Sequence, residues 1–261
     1  MAGAVPAYFH GLRPVLRAAS AGLVAVACAG GVCLADSAPI SAPEPIKFVA
    51  LGTEPVPMGI YQGDVLAGGI VKDLGDAIAA RLNTTAIFVP VSRKRVDEQL
   101  GSGTVDAICN ALPDWYGVKL NWSAPLISNA NLVMMRGGAT AVSRFGQLRG
   151  RTIGGVHGYV YPDLDVLVGG NYARDDAPTV ANSIWKLKAG RVDYAIVDQI
   201  TLDWEMKKDG ELRSFPTLLV RRYQSQCGFS PASKIPFARF TRAIDGLIKD
   251  GTIDRIMARY R

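Results

Sequence analysis

Strand-like and helix-like segments alternate in two successive stretches of the chain, and this order limits the folds that the chain can adopt. Apolar runs typical of buried strands are "KFVAL" (47–51) and "VDAIC" (105–109) in the first half, and "TIGGV" (152–156) and "VDYAIVD" (192–198) in the second. Between the first two, "GGIVKDLGDAIAARLN" (68–83) spaces its apolar residues as an amphipathic helix does. This order predicts right-handed crossovers and two α/β units with mostly parallel sheets.

A short internal repeat indicates that the two units are similar. The segments "LGSGTVDAI" (100–108) and "LKAGRVDYAI" (187–196) carry Leu, Gly, Val and Asp at matching offsets, 87 residues apart. Each copy has the pattern of a helix end, a glycine stop and a buried strand. On either side of the second unit, "NLVMM" (131–135) and "SFPTLLV" (214–220) are extended segments suited to pass between units. The helical tail of the chain is expected to pack back on the first unit.

The N-terminal segment predicts export. Arg13 and Arg17 precede an uncharged run of small and apolar residues that lasts until Asp36, which is the pattern of a secretory signal peptide over residues 1–35. Two alternatives stay open, a lipoprotein-type anchor at Cys28 and an uncleaved membrane anchor. The expected location of the mature protein is the periplasm.

The charge of the chain argues against nucleic acid as its main partner. The formal net charge is +6, and loss of the predicted signal peptide leaves 27 basic against 23 acidic residues. This excess is small and forms no long basic run. His157 would be the only histidine of the mature chain, and no group of His, Cys and acidic residues has metal-ligand spacing. We therefore expect neither a metal nor a cofactor.

Cys109 and Cys227 are the two cysteines that certainly remain after cleavage of the signal peptide. An exported chain with two cysteines most simply forms one disulfide. Such a bridge would join the end of a first-unit strand to the segment that returns to that unit. Two buried free thiols are the alternative.

A set of motifs follows in a fixed order along nearly all of the mature chain: "GGIVKDLGDAIAARL", "LGSGTVDAI", "WSAPL", "LRGRTIGGVHG", "LKAGRVDYAIVD" and "AIDGLIKDGTIDRIMARY". This ordered set resembles the periplasmic solute-binding proteins of the amino-acid type, extracellular family three. The resemblance implies an α/β fold of the periplasmic-binding-protein type II, with two similar three-layer lobes joined by two crossing strands. The lobes would cover residues 46–132 plus 221–261 and residues 133–220. It also implies a monomer that closes by hinge motion on a small polar or anionic solute, an amino acid or a related carboxylate or aromatic acid, and delivers it to the permease of an ABC importer.

The ligand site is expected just after the strands, because ligands of open α/β sheets bind outside the carboxyl ends of the strands. Arg93 and Arg95 are candidates to bind a carboxylate of the ligand, and Trp115 offers a flat platform. The resemblance implies that Asp198 receives a ligand ammonium group. The full set of candidate ligand-binding residues is Glu54, Tyr61, Arg93, Arg95, Asn110, Trp115, His157, Gly158, Tyr159 and Asp198.

These candidates have simpler structural alternatives. The loop after the first strand would be ordinary surface, the two arginines a solvated helix start, and Trp115 a part of the core. His157 would cap a turn, and Asp198 would cap the helix that follows it.

The stretch after Trp115 departs from the family pattern, in which an arginine in this region clamps the α-carboxylate of an amino acid. Here "PDWYGVKL" (113–120) offers Lys119 as its only cation, and a lysine is not a bidentate fork. Either Arg93 or Arg95 supplies the clamp, or the ligand lacks that group.

Solute capture is the function that the sequence favours, so we expect a binding protein and not an enzyme. Two other functions stay open. Cyclohexadienyl (arogenate or prephenate) dehydratases are similar to this family, and Glu54, Asp114 or Asp198 would serve as the acid that protonates the leaving hydroxyl. The sequence selects none of the three, and it contains no nucleophile-elbow motif. The other alternative is an accessory binding module for a periplasmic enzyme.

Overall fold

The computed structural model describes residues 44–261, so the predicted signal peptide and the possible anchor at Cys28 lie outside the described residues. The strands are β1 (Ile46–Ala50), β2 (Ile60–Gln62), β3 (Val65–Gly68), β4 (Ala86–Pro90), β5 (Ala107–Ala111), β6 (Asn121–Trp122), β7 (Ile127–Met135), β8 (Thr152–Val156), β9 (Ala173–Ala177), β10 (Tyr194–Asp198) and β11 (Thr217–Phe229). The helices are α1 (Ile70–Arg81), α2 (Val96–Gly101), α3 (Pro162–Val168), α4 (Val180–Lys188), α5 (Gln199–Lys208), α6 (Phe237–Lys249) and α7 (Thr252–Ala258). Short 3-10 helices cover Arg93–Arg95, Pro113–Trp115, Phe145–Leu148 and Gly210–Ser214.

Nine strands of the described part form one continuous sheet, in the order β4-β1-β5-β11-β7-β10-β8-β9, with β6 paired to β11. At one end β4, β1 and β5 are parallel, and at the other end β10, β8 and β9 are parallel. Between them, β11 is antiparallel to β5 and to β7, and β7 is antiparallel to β10. The predicted fold, two α/β lobes joined by two long strands, is therefore confirmed.

Helices cover both faces of each parallel set of strands, which gives each lobe three layers. In the first lobe, Phe48 packs in the core under α1, α6 and α7, whereas its neighbour Val49 packs in a second cluster under α2. In the second lobe, Ala195 packs in the core under α4 and α5, and Ile196 packs in the cluster under α3. Adjacent strand residues enter different clusters because successive side chains of a strand point to opposite faces.

The helix predicted over 68–83 begins later than its sequence pattern does. Gly68 ends β3, and Gly69 precedes α1 with a φ of 99°, a conformation that favours glycine. A Cβ atom on Gly69 would lie 2.7 Å from the carbonyl oxygen of Met58. This close approach of two backbone segments fixes the loop after β1, which contributes to the site described below.

Two details of the strand pattern differ from the prediction. The weak strand expected at "NYAR" (171–174) lies further along as β9, whose residues Ala-Arg-Asp-Asp-Ala are polar because it is an edge strand. The short hairpin of β2 and β3 and the two-residue strand β6 were not predicted, since segments of two to four residues carry too little periodicity.

Cys109 on β5 and Cys227 on β11 form a disulfide, as predicted. Both residues are buried in the core of the first lobe, and β5 and β11 are antiparallel neighbours. The bridge therefore links the third strand of the first lobe to the long strand that returns from the second lobe.

Within residues 44–261, no helix combines the length and the apolar character that crossing a bilayer requires.

Candidate functional site

A cavity of about 100 Å³ lies at the carboxyl ends of strands from both lobes. At roughly 10–15 Å³ for each water-sized group, it has room for roughly seven to ten such groups. The loops after β1, β4 and β5 line it from the first lobe, the segment entering α3 and the end of β10 line it from the second, and β7 and β11 pass between them. Its polar and charged lining residues are Glu54, Arg93, Asn110, Asn129, Asn131, Asp163, Asp198 and Arg221.

Glu54 is a buried carboxylic acid in the loop after β1, with 8% of its surface exposed. The Tyr61 hydroxyl donates to Glu54 Oε2 at 3.0 Å, and the same hydroxyl accepts a bond of 3.0 Å from the Gly52 N–H. Burial raises the pKa of Glu54 to about 7, and the hydrogen bond from Tyr61 and the charge of Arg93 oppose this shift only in part. Near neutral pH, both the acid and the carboxylate form of Glu54 are therefore populated.

The two arginines at the exit of β4 lie in different environments. Arg93 lines the cavity, donates from Nη1 to the Tyr116 hydroxyl at 3.0 Å, and stands 4.9 Å from the centroid of that ring. Arg95 has a side chain that is 62% exposed, and its Nε lies 3.5 Å from Glu98. Of the two, Arg93 is the one that can meet an anionic group inside the cavity, since its guanidinium reaches the stretch after β5 where the expected arginine is missing.

Asp198 ends β10 and caps α5, as the structural alternative for this residue predicted. Its Oδ1 accepts the Thr201 N–H at 3.0 Å and the Asn129 side-chain amide at 3.2 Å. The side-chain oxygen of Asn129 in turn accepts the N–H groups of Ala130 and Ile200 at 2.8 and 3.2 Å. This network fixes the carboxylate of Asp198 in the wall of the cavity. Both hydrogen bonds to that carboxylate end on Oδ1.

Asn110 lies at the carboxyl end of β5, directly after Cys109, and has a φ of +55°. This left-handed conformation is uncommon for a residue other than glycine and often occurs at functional sites. Its Oδ1 is buried and has no hydrogen-bond partner in the described part of the chain. Because buried polar atoms are nearly always paired, the position suits a donor group that a solute would bring.

Aromatic side chains form much of the remaining wall. Trp115 and Tyr223 are in edge contact with ring centroids 5.8 Å apart, and Tyr159 and Tyr161 also line the cavity. Burial raises the pKa of the Tyr159 and Tyr223 hydroxyls, which therefore stay protonated at neutral pH. Trp115 is half-buried, so its ring contributes a cavity wall and not only core packing.

Two sets of contacts cross from one lobe to the other beside the cavity. Arg221 on β11 donates from Nη1 to Asp114 Oδ2 of the first lobe and to Asp163 Oδ2 at the start of α3, both at 3.0 Å. The Tyr159 hydroxyl donates to the carbonyl oxygen of Thr53 at 3.2 Å. These contacts hold the loops after β1 and β5 against the segment that enters α3.

Comparisons with known proteins identify the family and the fold of the chain. The sequence profile of the bacterial extracellular solute-binding proteins, family 3, matches residues 49–261. The chain belongs to this family. No match to a curated protein sequence was found.

Solved structures of the same type II fold cover most of this family 3 protein. An ancestral arginine-binding protein bound to arginine has a TM-score of 0.67 at 18% identity, over 83% of this chain and 97% of that chain. A substrate-binding protein of an ABC uptake transporter from Streptococcus pneumoniae, with bound histidine, has a TM-score of 0.68 at 20% identity, over 83% and 92%. An ancestral amino-acid-binding protein described as a precursor of cyclohexadienyl dehydratase has a TM-score of 0.68 at 15% identity, over 83% and 94%. At such identities these likenesses establish the fold.

Some of the predicted site residues do not line the cavity of this family 3 protein. His157 and Gly158 are exposed in the turn before α3, and Arg95 is on the surface. Tyr61 lies behind Glu54 and holds it in place. The structure thus brings together Glu54, Arg93, Asn110, Trp115, Tyr159 and Asp198.

Several lining residues were not predicted, and a sequence signal marks two of them. Asn129 and Asn131 are two positions apart on the mostly apolar strand β7. Alternate residues of a strand share a face, so this spacing indicates a polar cavity on that face. Arg221 and Tyr223 are also two positions apart, but they lie in the polar run "RRYQSQ" (221–226) of β11, where no such contrast exists. The site therefore includes the two connecting strands as well as the loops after the parallel strands.

Proposed function

We propose that this protein captures a small polar solute, an amino acid or a related carboxylate or aromatic acid, in the cleft between its lobes and delivers it to an ABC importer. The observation that carries the proposal is the cavity itself, in which charged groups from both lobes face a volume the size of such a solute. Ligand pockets of this kind are mostly apolar with a few placed polar groups. The partner would be the permease of the importer, and the protein would act as a periplasmic monomer.

Capture is proposed to proceed by hinge closure. The moving bodies would be residues 46–132 plus 221–261 and residues 133–220, with the bending points in β7 and β11 where these bodies meet. The contact of Arg221 with Asp163 joins the two bodies and would form on closure and separate on opening, whereas its contact with Asp114 lies within the first body. Hinge motion about a few residues of connecting segments is the common mode of closure in two-lobe binding proteins.

Family membership and the solved relatives support the class of solute. The relatives named above include proteins bound to arginine and to histidine. In this chain, Arg93 would bind a carboxylate of the solute, in place of the arginine that is absent after Trp115. Asp198 and Asn110 line the cavity, and their side-chain oxygens would hold a nitrogen of the solute.

A thermal-shift screen of the mature protein against amino acids, carboxylates and aromatic acids tests the proposal. A specific solute at one hundred times its Kd should add about 2.7 kcal/mol to the free energy of unfolding. The hit is then titrated calorimetrically against Arg93→Gln and the matched surface variant Arg95→Gln. Loss of a charge-assisted hydrogen bond worth about 1.5–3 kcal/mol should weaken binding to Arg93→Gln by at least tenfold and leave Arg95→Gln unchanged. No shift with any of these solutes would contradict the proposal.

One observation also favours a second candidate, a dehydratase of the cyclohexadienyl type. Glu54 is buried in the cavity with a pKa of about 7, which suits a general acid that protonates a leaving hydroxyl near neutral pH. Of the three acids that the sequence left open, Asp198 caps a helix and Asp114 pairs with Arg221. Incubation with prephenate and arogenate tests this candidate: formation of an aromatic product that Glu54→Gln abolishes would establish it, and absence of turnover would dismiss it.

A further inference from the structure

We infer that the solute of this cleft carries a net positive charge, with its cationic nitrogen received by Glu54 of the first lobe and Asp198 of the second. The inference rests on the proposed capture function and narrows its solute from amino acids and related acids in general to those with a net positive charge, such as a diamino or guanidino acid. Arg93 would meet an anionic group where the solute has one.

The first argument is the charge of the cavity wall. Three acidic and two basic residues line the cavity. Arg221 is bound by Asp163 and by Asp114 beside it, so its charge is already compensated. The charged side chains that remain to face the solute are those of Arg93, Glu54 and Asp198. None of the three forms an ion pair within residues 44–261. With Glu54 ionised, these three groups carry one negative charge more than positive, in a chain whose formal net charge is +6. An excess of negative charge in a cleft favours solutes of the opposite sign.

The second argument is the surplus of oxygen acceptors. The hydrogen bonds to Glu54 and Asp198 end on Oε2 and Oδ1, respectively, and the buried Oδ1 of Asn110 has no partner in the described part of the chain. One oxygen on each of the three side chains is therefore open to a donor. An ammonium group has three N–H donors and a guanidinium group has five, whereas a carboxylate has none.

The aromatic wall is the third argument. The rings of Trp115, Tyr159 and Tyr223 line the same cavity. The electron-rich face of an aromatic ring attracts a cation, and tryptophan does so most strongly. The charged carboxylates and the rings therefore favour the same sign of solute.

Binding of a cation should also displace a proton from Glu54. The titratable groups that face Glu54 are Tyr61, Arg93, Tyr116 and Tyr159. The pKa of each of these tyrosines is raised, so Glu54 alone among the neighbouring acids changes its charge near neutral pH. With its pKa at about 7, the protein should release about half a proton per cation bound at pH 7. If the ionised form binds, affinity should be about tenfold higher at pH 8 than at pH 6.

The experiment is a calorimetric titration of the mature protein with L-arginine, L-lysine, the uncharged arginine analogue L-citrulline, L-glutamine and L-glutamate. We expect arginine or lysine to bind at least tenfold more tightly than citrulline, glutamine and glutamate. Repeating the cation titration at pH 7 in two buffers of different ionisation enthalpy should show the release of a proton. Tighter binding of a neutral or anionic solute would overturn the inference and leave the capture function standing. No binding of any of the five, together with a silent thermal-shift screen, would overturn both.

Two variants separate the role of Glu54 from a general loss of structure. Glu54→Gln keeps the shape of the side chain and should abolish proton release and the pH dependence of cation binding. Glu98→Gln removes an exposed carboxylate of α2 that pairs with Arg95 and should leave both unchanged. Proton release that persists in Glu54→Gln would refute the assignment. If that variant fails to fold, the pH dependence of the wild-type protein decides, since an affinity for cations that is equal at pH 6 and pH 8 excludes Glu54.

Discussion

Replacing both Cys109 and Cys227 with alanine should lower the free energy of unfolding by several kcal/mol. The two residues are separated by 118 positions, so the bridge closes a long loop of the unfolded chain. In the chain-entropy treatment, a loop of this length corresponds to an entropy of about 16 cal/mol/K, or about 5 kcal/mol at 25 °C. Measured values for native disulfides are about 2–5 kcal/mol, so about 5 kcal/mol is the upper end of the expected loss.

Urea unfolding followed by circular dichroism measures this loss. The double alanine variant should unfold at lower urea, and with a larger dependence on urea concentration, because its unfolded chain exposes more surface. The wild-type protein unfolded and refolded with a reductant should behave like the variant, whereas the reductant should not affect the variant. If the free energy of unfolding of the double variant lies within about 1 kcal/mol of that of the oxidised wild type, the bridge does not contribute the expected stability. The same conclusion follows if refolding with reductant leaves the stability of the wild type unchanged.

Three further outcomes are expected. Glu54 ionises from pH 4.5 in the unfolded chain but only near pH 7 when folded, so stability falls as the pH rises between these values. The free energy of unfolding of Glu54→Gln should therefore exceed that of the wild type by up to about 3 kcal/mol at pH 8, and the two should be equal at pH 4. The same difference at both pH values would count against a buried acid at this position. Arg221→Met should give the solute-free protein a larger radius of gyration in X-ray scattering, with a stability change within about 1 kcal/mol. Arg136→Met removes an equally exposed arginine from an ion pair within the second lobe and should leave the radius unchanged. Equal radii would dismiss the Arg221–Asp163 pair as a closure contact. Gly69→Ala should lower the denaturation midpoint, because Gly69 has a φ of 99° and a Cβ atom there would lie 2.7 Å from the Met58 carbonyl oxygen. The control Gly146→Ala should leave the midpoint unchanged, because a Cβ atom there meets open space. An unchanged midpoint for Gly69→Ala would show that the loop after β1 can move to accommodate the methyl group.

The buried acid links the two proposals for this cleft. A buried carboxyl group is costly to ionise, and Tyr61 and Arg93 offset that cost for Glu54 only in part. A bound cation would offset more of it. Glu54 would therefore act as a proton-linked receptor for a cationic solute in a binding protein, or as a proton donor in a dehydratase. The calorimetric and turnover measurements distinguish the two roles, because the first ends with a bound, unchanged solute and the second with an aromatic product.

The site was predictable where it depends on the ends of strands. The strand pattern of "VDAIC" places Asn110 at a carboxyl end, and the same reasoning places Asp198 at the end of β10. Whether Arg93 or Arg95 enters the cavity was not predictable, since the two residues are two positions apart and the choice depends on Tyr116, which is distant in sequence. The contribution of Arg221 was missed for the same reason, because its partners come from two different lobes.

The two α/β units and the candidate disulfide could be predicted from the amino-acid sequence. Alternating periodicity and an internal repeat indicate the two units, and the pair of cysteines indicates one disulfide, because hydrophobic period and cysteine count are local or compositional properties. The arrangement of the units as two lobes joined by two strands followed from the family resemblance. The set of charges that share the cavity, and the raised pKa of Glu54 among them, follow from the folded arrangement of distant segments. The raised pKa of Glu54 comes from burial beneath residues of several elements, and the acidic balance of the cleft comes from Arg221 being held by two aspartates. Such effects depend on distances of a few ångströms between segments far apart in the chain, and a sequence pattern does not contain those distances.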